Sequence, residues 1–279
     1  MTHVARFHIG RIEISTVCQG WAPLPLADEC PGREVDWAEE RRAFPWAFDG
    51  TNHWRWHVHA FAVRTPAGLT MVDAGLGGFP PWGPWAPGEG IDTPEALARA
   101  EVDPNDVSTV VLTHLHPDHM GGSVSGGKPR FANARYVLHD ADRRFSQSDG
   151  LDEYTALARD DLARLDELGV LDVGTEDREV APGIEVLHTP GHTPGHRSVV
   201  VQDGEEAILL TGDLLHLPVQ VAHPGWDSEH DEDPSAGARS RIAMLDRARH
   251  EGWTVGVPHF AHPFGQVEGT GWEEAPLRT

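Results

Sequence analysis

The sequence predicts an α/β fold. Short apolar or alternating segments of strand length recur from one end of the chain to the other, and segments with helical spacing lie between them. Several strand-like neighbours sit close enough to form hairpins, so the sheets are expected to be mixed rather than purely parallel. No linker-like stretch divides the chain, and the expectation is a single domain over residues 1–279.

The elements follow in order. Residues 7–17 alternate, with Ile12, Ile14 and Thr16 on one face, and read as an early strand. Segment 21–52 carries Trp21, Pro23, Pro25, Pro31, Trp37 and Trp46 and is expected to be irregular or briefly helical. Segments 57–64 and 69–73 form a strand pair joined by Pro66-Ala67-Gly68. Segment 75–92 is dominated by Gly, Pro and Trp, including Phe79-Pro80-Pro81-Trp82-Gly83-Pro84-Trp85. A loop of that length often carries function, and both irregular segments are expected to lie over the site. Thr93 as N-cap and Pro94 in the first turn open a helix. Segments 108–113 and 134–138 are short apolar strands. Leu151, Tyr154, Leu157, Leu162, Leu165 and Leu168 recur at helical spacing, and Gly169 supplies the stop. Strands follow at 184–188, 197–202 and 206–211. Ser235 is expected to cap a helix carrying Ile242, Leu245 and Ala248 that stops near Gly252, and a last strand covers 254–257.

Composition narrows the function. The chain has 44 acidic and 22 basic residues, a formal net charge of −22. Binding to phosphate backbones needs Lys and Arg, so nucleic acid and anionic membrane are excluded as first partners. The only cysteines, Cys18 and Cys30, rule out a Cys-based zinc cluster and are expected to be free buried thiols rather than a disulfide. No run approaches the ~18 apolar residues of a membrane span. Residues 1–8 lack a signal-peptide stretch, so a cytoplasmic setting is expected.

Histidine is the unusual count, at 18. The strand at 108–113 runs into His114-Leu115-His116-Pro117-Asp118-His119, four potential ligands within six residues. Imidazole and carboxylate together suit zinc, manganese, iron or nickel, and a purely structural reading does not explain that density. Further potential ligands stand at strand ends: Thr189-Pro190-Gly191-His192-Thr193-Pro194-Gly195-His196, Thr211-Gly212-Asp213 and Pro258-His259-Phe260.

His114-x-His116-x-Asp118-His119, followed by His192, Asp213 and His259, resembles the metallo-β-lactamase superfamily. The resemblance runs from Val72-Asp73-Ala74-Gly75 to the final histidine and implies an αββα sandwich of two mixed sheets flanked by helices. It implies that His114, His116 and His192 hold a first metal, that Asp118, His119 and His259 hold a second, and that Asp213 bridges them. The cofactors implied are two divalent ions, zinc first, with manganese, iron, nickel or cobalt as alternatives. Asp73 would stand behind the metal loop and orient a ligand. His196 is expected to be structural, and His262 to yield to His259.

Two such ions share a water and make it acidic enough to attack a carbonyl or phosphoryl centre. Asp118 would orient that water and shuttle a proton. Thr193 to Val199 and His259-Phe260 resemble the lactonase branch, whereas Gly212 to His216 with Val219-Gln220 resembles the organophosphate-hydrolysing branch. The expected function is hydrolysis of a small ester or lactone of the N-acyl homoserine lactone kind, with phosphotriester or thioester hydrolysis and iron-dependent oxygenation as alternatives. Lactonases of this branch often place a tyrosine at the metals, but Tyr136 and Tyr154 lie outside the ligand motifs. That nominates His216 as proton donor. Trp21, Trp46, Trp82 and Trp85 are expected to wall an apolar pocket or to pack as a lid or an oligomer contact; a homodimer stays open. The acidic run 227–233 is expected to be a solvated surface.

Overall fold

The computed structural model describes residues 4–50, 52–81, 83–149, 151 and 153–277, and Trp82 lies outside them. The elements in chain order are β1 (Arg6–Ile9), β2 (Ile12–Pro25), α1 (Trp37–Ala43), β3 (Phe48–Asp49), β4 (His53–Thr65), β5 (Gly68–Val72), α2 (Thr93–Arg99), β6 (Val107–Val111) and α3 (Pro117–Met120). Then come β7 (Val124–Ser125), β8 (Lys128–Pro129), β9 (Arg135–His139), α4 (Asp140–Phe145), α5 (Glu153–Leu157), α6 (Arg159–Glu167) and β10 (Leu171–Gly174). The last group is β11 (Arg178–Ala181), β12 (Ile184–His188), β13 (Arg197–Asp203), β14 (Glu206–Leu210), α7 (Pro234–Glu251), β15 (Thr254–Gly256), β16 (Phe264–Glu268) and β17 (Gly271–Glu274).

Two mixed sheets face one another. The first has the order β1-β2-β4-β5-β6-β9-β10, with β3 paired to β4, and the second runs β11 to β17 in sequence order. Ile14, Phe61, Val63, Val72 and Val111 of the first sheet pack on Val186, Val199, Val201, Ile208 and Leu210 of the second. Each such fully buried apolar side chain contributes about 1.5–3 kcal/mol of transfer free energy, which sets the sandwich core. The outer face of the first sheet buries Leu97 of α2 and Leu162 and Leu165 of α6 against Met71, Val110 and Leu138. The outer face of the second buries Leu245 and Ala248 of α7 against Leu209 and Val255. The layers are therefore helix, sheet, sheet, helix. No described helix is long and apolar enough to cross a membrane.

Several boundaries differ from the sequence reading. Residues 7–17 are a hairpin that turns at Gly10-Arg11, and β2 continues to Pro25, so 21–25 is strand rather than loop. Pro23 and Pro25 are tolerated because β1 pairs only with Ile12–Ser15; beyond that, β2 has β4 on one side and no strand on the other, where the amides of Ala86 and Ile91 donate to Trp21 O and Gln19 O. Asp92, not Thr93, caps α2 by accepting from the Glu95 amide at 2.8 Å. Asp233, not Ser235, caps α7 by accepting from Ala236 at 2.9 Å. In both cases an aspartate stands just ahead of the hydroxyl residue and takes the orphan amide. Gly252 ends α7 in the left-handed conformation, φ 69°, but Ile242 faces outward. The helix expected over 151–168 breaks into α5 and α6 at Ala158. The strand at 254–257 is not the last, since β16 and β17 follow it.

Candidate metal centre

The ligand-type residues leave both sheets at one edge. After β6, Thr113 leads to His114, and α3 is a single turn opened by Pro117, with the amides of His119 and Met120 both donating to His116 O at 3.0 Å. That turn sends His114 and His116 one way and Asp118 and His119 the other. His192 lies in the β12–β13 turn, Asp213 in a 3-10 turn after β14, and His259 just beyond β15. Gly212 adopts φ 55°, where a Cβ would stand 2.7 Å from His196 Nε2, so only glycine fits the bend that presents Asp213.

The structure brings all seven residues together as two groups sharing one carboxylate. His114, His116, His192 and Asp213 form one group, and Asp118, His119, Asp213 and His259 the other; in each, the donor atoms lie within 4.8 Å of one another. Asp213 Oδ1 is 3.0 Å from His119 Nε2 and 3.0 Å from His259 Nε2. Its Oδ2 is 3.4 Å from His192 Nε2 and 3.9 Å from His114 Nε2. Asp118 Oδ2 is 3.2 Å from His119 Nε2, and His192 Nε2 is 2.9 Å from His116 Nδ1. All seven are almost fully buried.

Such burial of ionisable groups is costly unless each is compensated. Burial works against charge on His119, but Asp213, Asp118 and Asp73 outweigh it and hold its pKa well above the ordinary histidine value. Burial likewise opposes charge on His259, and Asp213 turns the balance upward. His114 is driven well below the ordinary value by burial and by its neighbour His119. Burial raises the Asp213 carboxyl, yet His119 and His259 pull it well down. His114 Nε2 and Asp118 Oδ1 have no hydrogen-bond partner among the described residues. Imidazole nitrogens that converge on carboxylates, with buried donor atoms left unmatched by protein, fit divalent cations.

A surrounding set of residues aims these groups. Asp73 accepts from His119 Nδ1 at 2.7 Å, from the Thr113 amide at 2.8 Å and from Thr113 Oγ1 at 2.9 Å, which fixes Nε2 of His119 toward the cluster. Asp73 itself has φ 64°, a conformation that an aspartate tolerates better than most side chains. His259 Nδ1 donates to His57 O at 2.7 Å. His196 accepts the Asp213 amide on Nε2 at 2.9 Å and donates from Nδ1 to Thr189 O at 3.0 Å, so its position is structural. His262 lies outside both groups, beside Glu274 at 3.2 Å.

Sequence reasoning missed Asp231 and Arg241. Asp231 is buried, 3.3 Å from His192 Nδ1, and pairs with Arg241 at 3.2 Å, so the acidic run is not simply a solvated surface. The Arg241 side chain also donates to Leu214 O, Pro224 O and Trp226 O. Among seven residues rich in charge, nothing local marks Asp231 as the one that turns inward.

His216 is fully buried, its ring 5.1 Å from that of His259 and 5.0 Å from that of His230. Burial and the neighbouring His230 push its pKa well below the ordinary value. Tyr136 is spent on structure, donating to Ser123 O and accepting from the Phe131 amide; the Tyr154 side chain lies outside the described residues. Trp46 and Trp85 pack on the chain's own apolar core, while Trp21 stacks on His57 with Arg55 over its ring. Cys18 and Cys30 are free and buried.

The chain resembles known proteins over about half its length in sequence and over its whole length in fold. An N-acyl homoserine lactonase of a Bacillus species is 33% identical over 138 residues, covering 48% of this chain and 50% of that one. The N-acyl homoserine lactonase AiiB of Rhizobium rhizogenes is 30% identical over 142 residues, 47% of this chain and 49% of that one. The chain thus spans about half the length of the curated relatives it matches. Among solved structures, AidC, a dizinc quorum-quenching lactonase, superposes with TM-score 0.83 at 20% identity, over 100% of this chain and 98% of that one. The hydrolase AbOPH superposes with TM-score 0.81 at 21% identity, over 100% and 99%. Residues 53–259 match the metallo-beta-lactamase superfamily, and the chain belongs to that family.

Proposed function

We propose that the protein is a dinuclear metal-dependent hydrolase that opens a small lactone or ester, of which an N-acyl homoserine lactone is the leading case. The observation that carries this reading is Asp213, whose carboxylate stands between the two groups: Oδ1 faces His119, Oδ2 faces His192 and His114, and His259 lies within 3.1 Å of both oxygens. The relatives matched over about half of each chain, which are N-acyl homoserine lactonases, support the substrate class.

His114, His116 and His192 would hold one ion, Asp118, His119 and His259 the other, and Asp213 both. When bound, two divalent ions, zinc first, supply Lewis acidity toward a carbonyl oxygen and make water acidic enough to attack near neutral pH. Asp118 keeps Oδ1 without a hydrogen-bond partner among the described residues, which suits it to orient the attacking water and accept its proton. His216, held neutral by burial, would serve the leaving oxygen as a hydrogen-bond donor rather than as an imidazolium. The two free thiols fit a reducing, cytoplasmic setting.

The test is turnover of N-acyl homoserine lactones, aryl esters, thioesters and phosphotriesters by protein of measured metal content. We expect lactone opening to be fastest, to vanish on chelation and to return with about two equivalents of zinc per chain. Full turnover in metal-free protein would overturn the mechanism, and a thioester or phosphotriester preference would overturn the substrate class.

A further inference from the structure

A second cluster of side chains of the kind that can ligate a metal lies on the inner face of the first sheet. Cys18 of β2 is the register partner of His59 on β4, and His57 lies two residues along the same strand, so all three project to one side. One donor atom from each lies within 4.8 Å of the others. The pairing of β2 with β4 shifts register between Cys18 and Gly20, the kind of bulge that re-aims a side chain. These residues line a cavity of about 360 Å³ whose wall also holds Glu89, His262 and Glu274.

We propose that Cys18, His57 and His59 form a third cation site, selective for a thiophilic divalent ion of the zinc and cadmium class. His59 carries the main argument. It is 5% exposed, and its Nε2 lies 3.1 Å from Phe260 O, so that nitrogen carries the hydrogen. The other nitrogen, Nδ1, is left as a lone pair, buried and without a hydrogen-bond partner among the described residues. A ring that donates one N–H to a backbone carbonyl and offers the other nitrogen to a cavity is the usual state of a metal-ligating histidine. The His57 ring is stacked between Trp21, at 6.2 Å, and His59, at 5.4 Å, which limits its orientation.

The chemistry selects the ion. Thiolate plus imidazole favours zinc-like metals over magnesium or calcium. Tetrahedral bond lengths of ~2.3 Å to sulfur and ~2.0–2.1 Å to nitrogen place donors roughly 3.3–3.7 Å apart, so side-chain adjustments of about 1 Å close the ring. Burial keeps the Cys18 thiol protonated, its pKa pushed up to about 12. Binding therefore forms one metal–sulfur bond, breaks one S–H bond and releases one proton to solvent. Glu89 and Glu274 on the cavity wall favour a cation, and a water or one of these carboxylates completes the coordination. The site is coupled to the main centre through backbone: the His57 amide donates to His259 O at 3.3 Å, and the His59 amide to Pro258 O at 3.1 Å.

The experiment uses enzyme already loaded at its main centre, titrated with cadmium and followed by thiolate-to-metal charge-transfer absorption. The main centre contains no sulfur ligand, so this signal is independent of the proposed hydrolysis. We expect a band saturating at one additional equivalent in wild-type protein and in Cys30→Ala, and no band and no additional equivalent in Cys18→Ala, whose lactone turnover before titration stays at the wild-type level. A band that survives Cys18→Ala, or wild-type protein with neither band nor additional equivalent, would overturn the site. Should Cys18→Ala fail to fold, alkylation of wild-type protein decides. Cadmium is expected to slow labelling of Cys18 at least tenfold and leave Cys30 unchanged; equal labelling of Cys18 with and without cadmium overturns the proposal.

Discussion

Replacing Asp142 should loosen the turn that carries His192, and the cost follows from two hydrogen bonds. Thr193 Oγ1 donates to Asp142 Oδ2 at 2.9 Å, and the Gly195 amide donates to Oδ1 at 2.6 Å. Both donors are buried with the carboxylate, and Gly195 is packed so tightly that a Cβ there would lie 2.5 Å from the Asp142 amide. Asp142→Ala leaves two donors unsatisfied at roughly 1–3 kcal/mol each, so we expect a loss of about 4 kcal/mol. For a chain of this size that lowers the melting temperature by roughly 8–16 °C. Burial pushes the Asp142 carboxyl up to about 7, above its unfolded value of about 3.9. Between those values the native state holds a proton that the unfolded chain has released. Its contribution is therefore complete below about pH 4 and is lost as pH rises through about 7. Asp142→Asn keeps one acceptor and cannot titrate, so it should cost less than alanine and flatten that slope. Denaturant unfolding of metal-loaded protein at about pH 5 and about pH 8 measures both effects. An alanine variant within about 1 kcal/mol of wild type, or an asparagine variant with an undiminished slope, would refute the reasoning.

Three other changes probe the centre. Asp73→Asn removes the acceptor that fixes His119 and should weaken metal affinity by roughly 10–100-fold, read by competition with a chelating dye. Arg241→Met leaves Asp231 buried without its cation and should cost about 3–5 kcal/mol in denaturant unfolding; adding Asp231→Asn should recover part of the loss. His216→Ala should lower kcat for a lactone by roughly 100-fold with KM nearly unchanged, and an unaltered kcat would leave His216 as packing alone.

The ligand motif was legible because its chemistry is dense along the chain: His114 to His119 holds four donor side chains next to an apolar strand. His192, Asp213 and His259 were legible because each stands at a strand end, where side chains are delivered to one edge. Asp231 and Arg241 were not, because their pairing depends on how α7 packs behind the turn at His192. Tertiary context also hid the course of β2, since a sequence cannot show which side of a strand is left open for Pro23 and Pro25. The strands β16 and β17 are short and carry Gly, Gln and Glu, so their alternation is weak until pairing with β15 fixes it. The caps of α2 and α7 were displaced for a local reason: two capping residue types stand nearly side by side, and propensity alone does not choose between them.

The backbone bonds from His57 and His59 to residues 258 and 259 join the two sheets at the rim that bears the histidines. The halves of the sandwich are laced together there as well as pressed face to face. If one sheet slid past the other by a single residue, those bonds would break, and His259 and Asp213, both carried by the second sheet, would part from His119 and Asp118, carried by the first. Cation affinity should therefore report on how accurately the halves are docked, and variants that loosen the inter-sheet core should shed metal before they lose secondary structure.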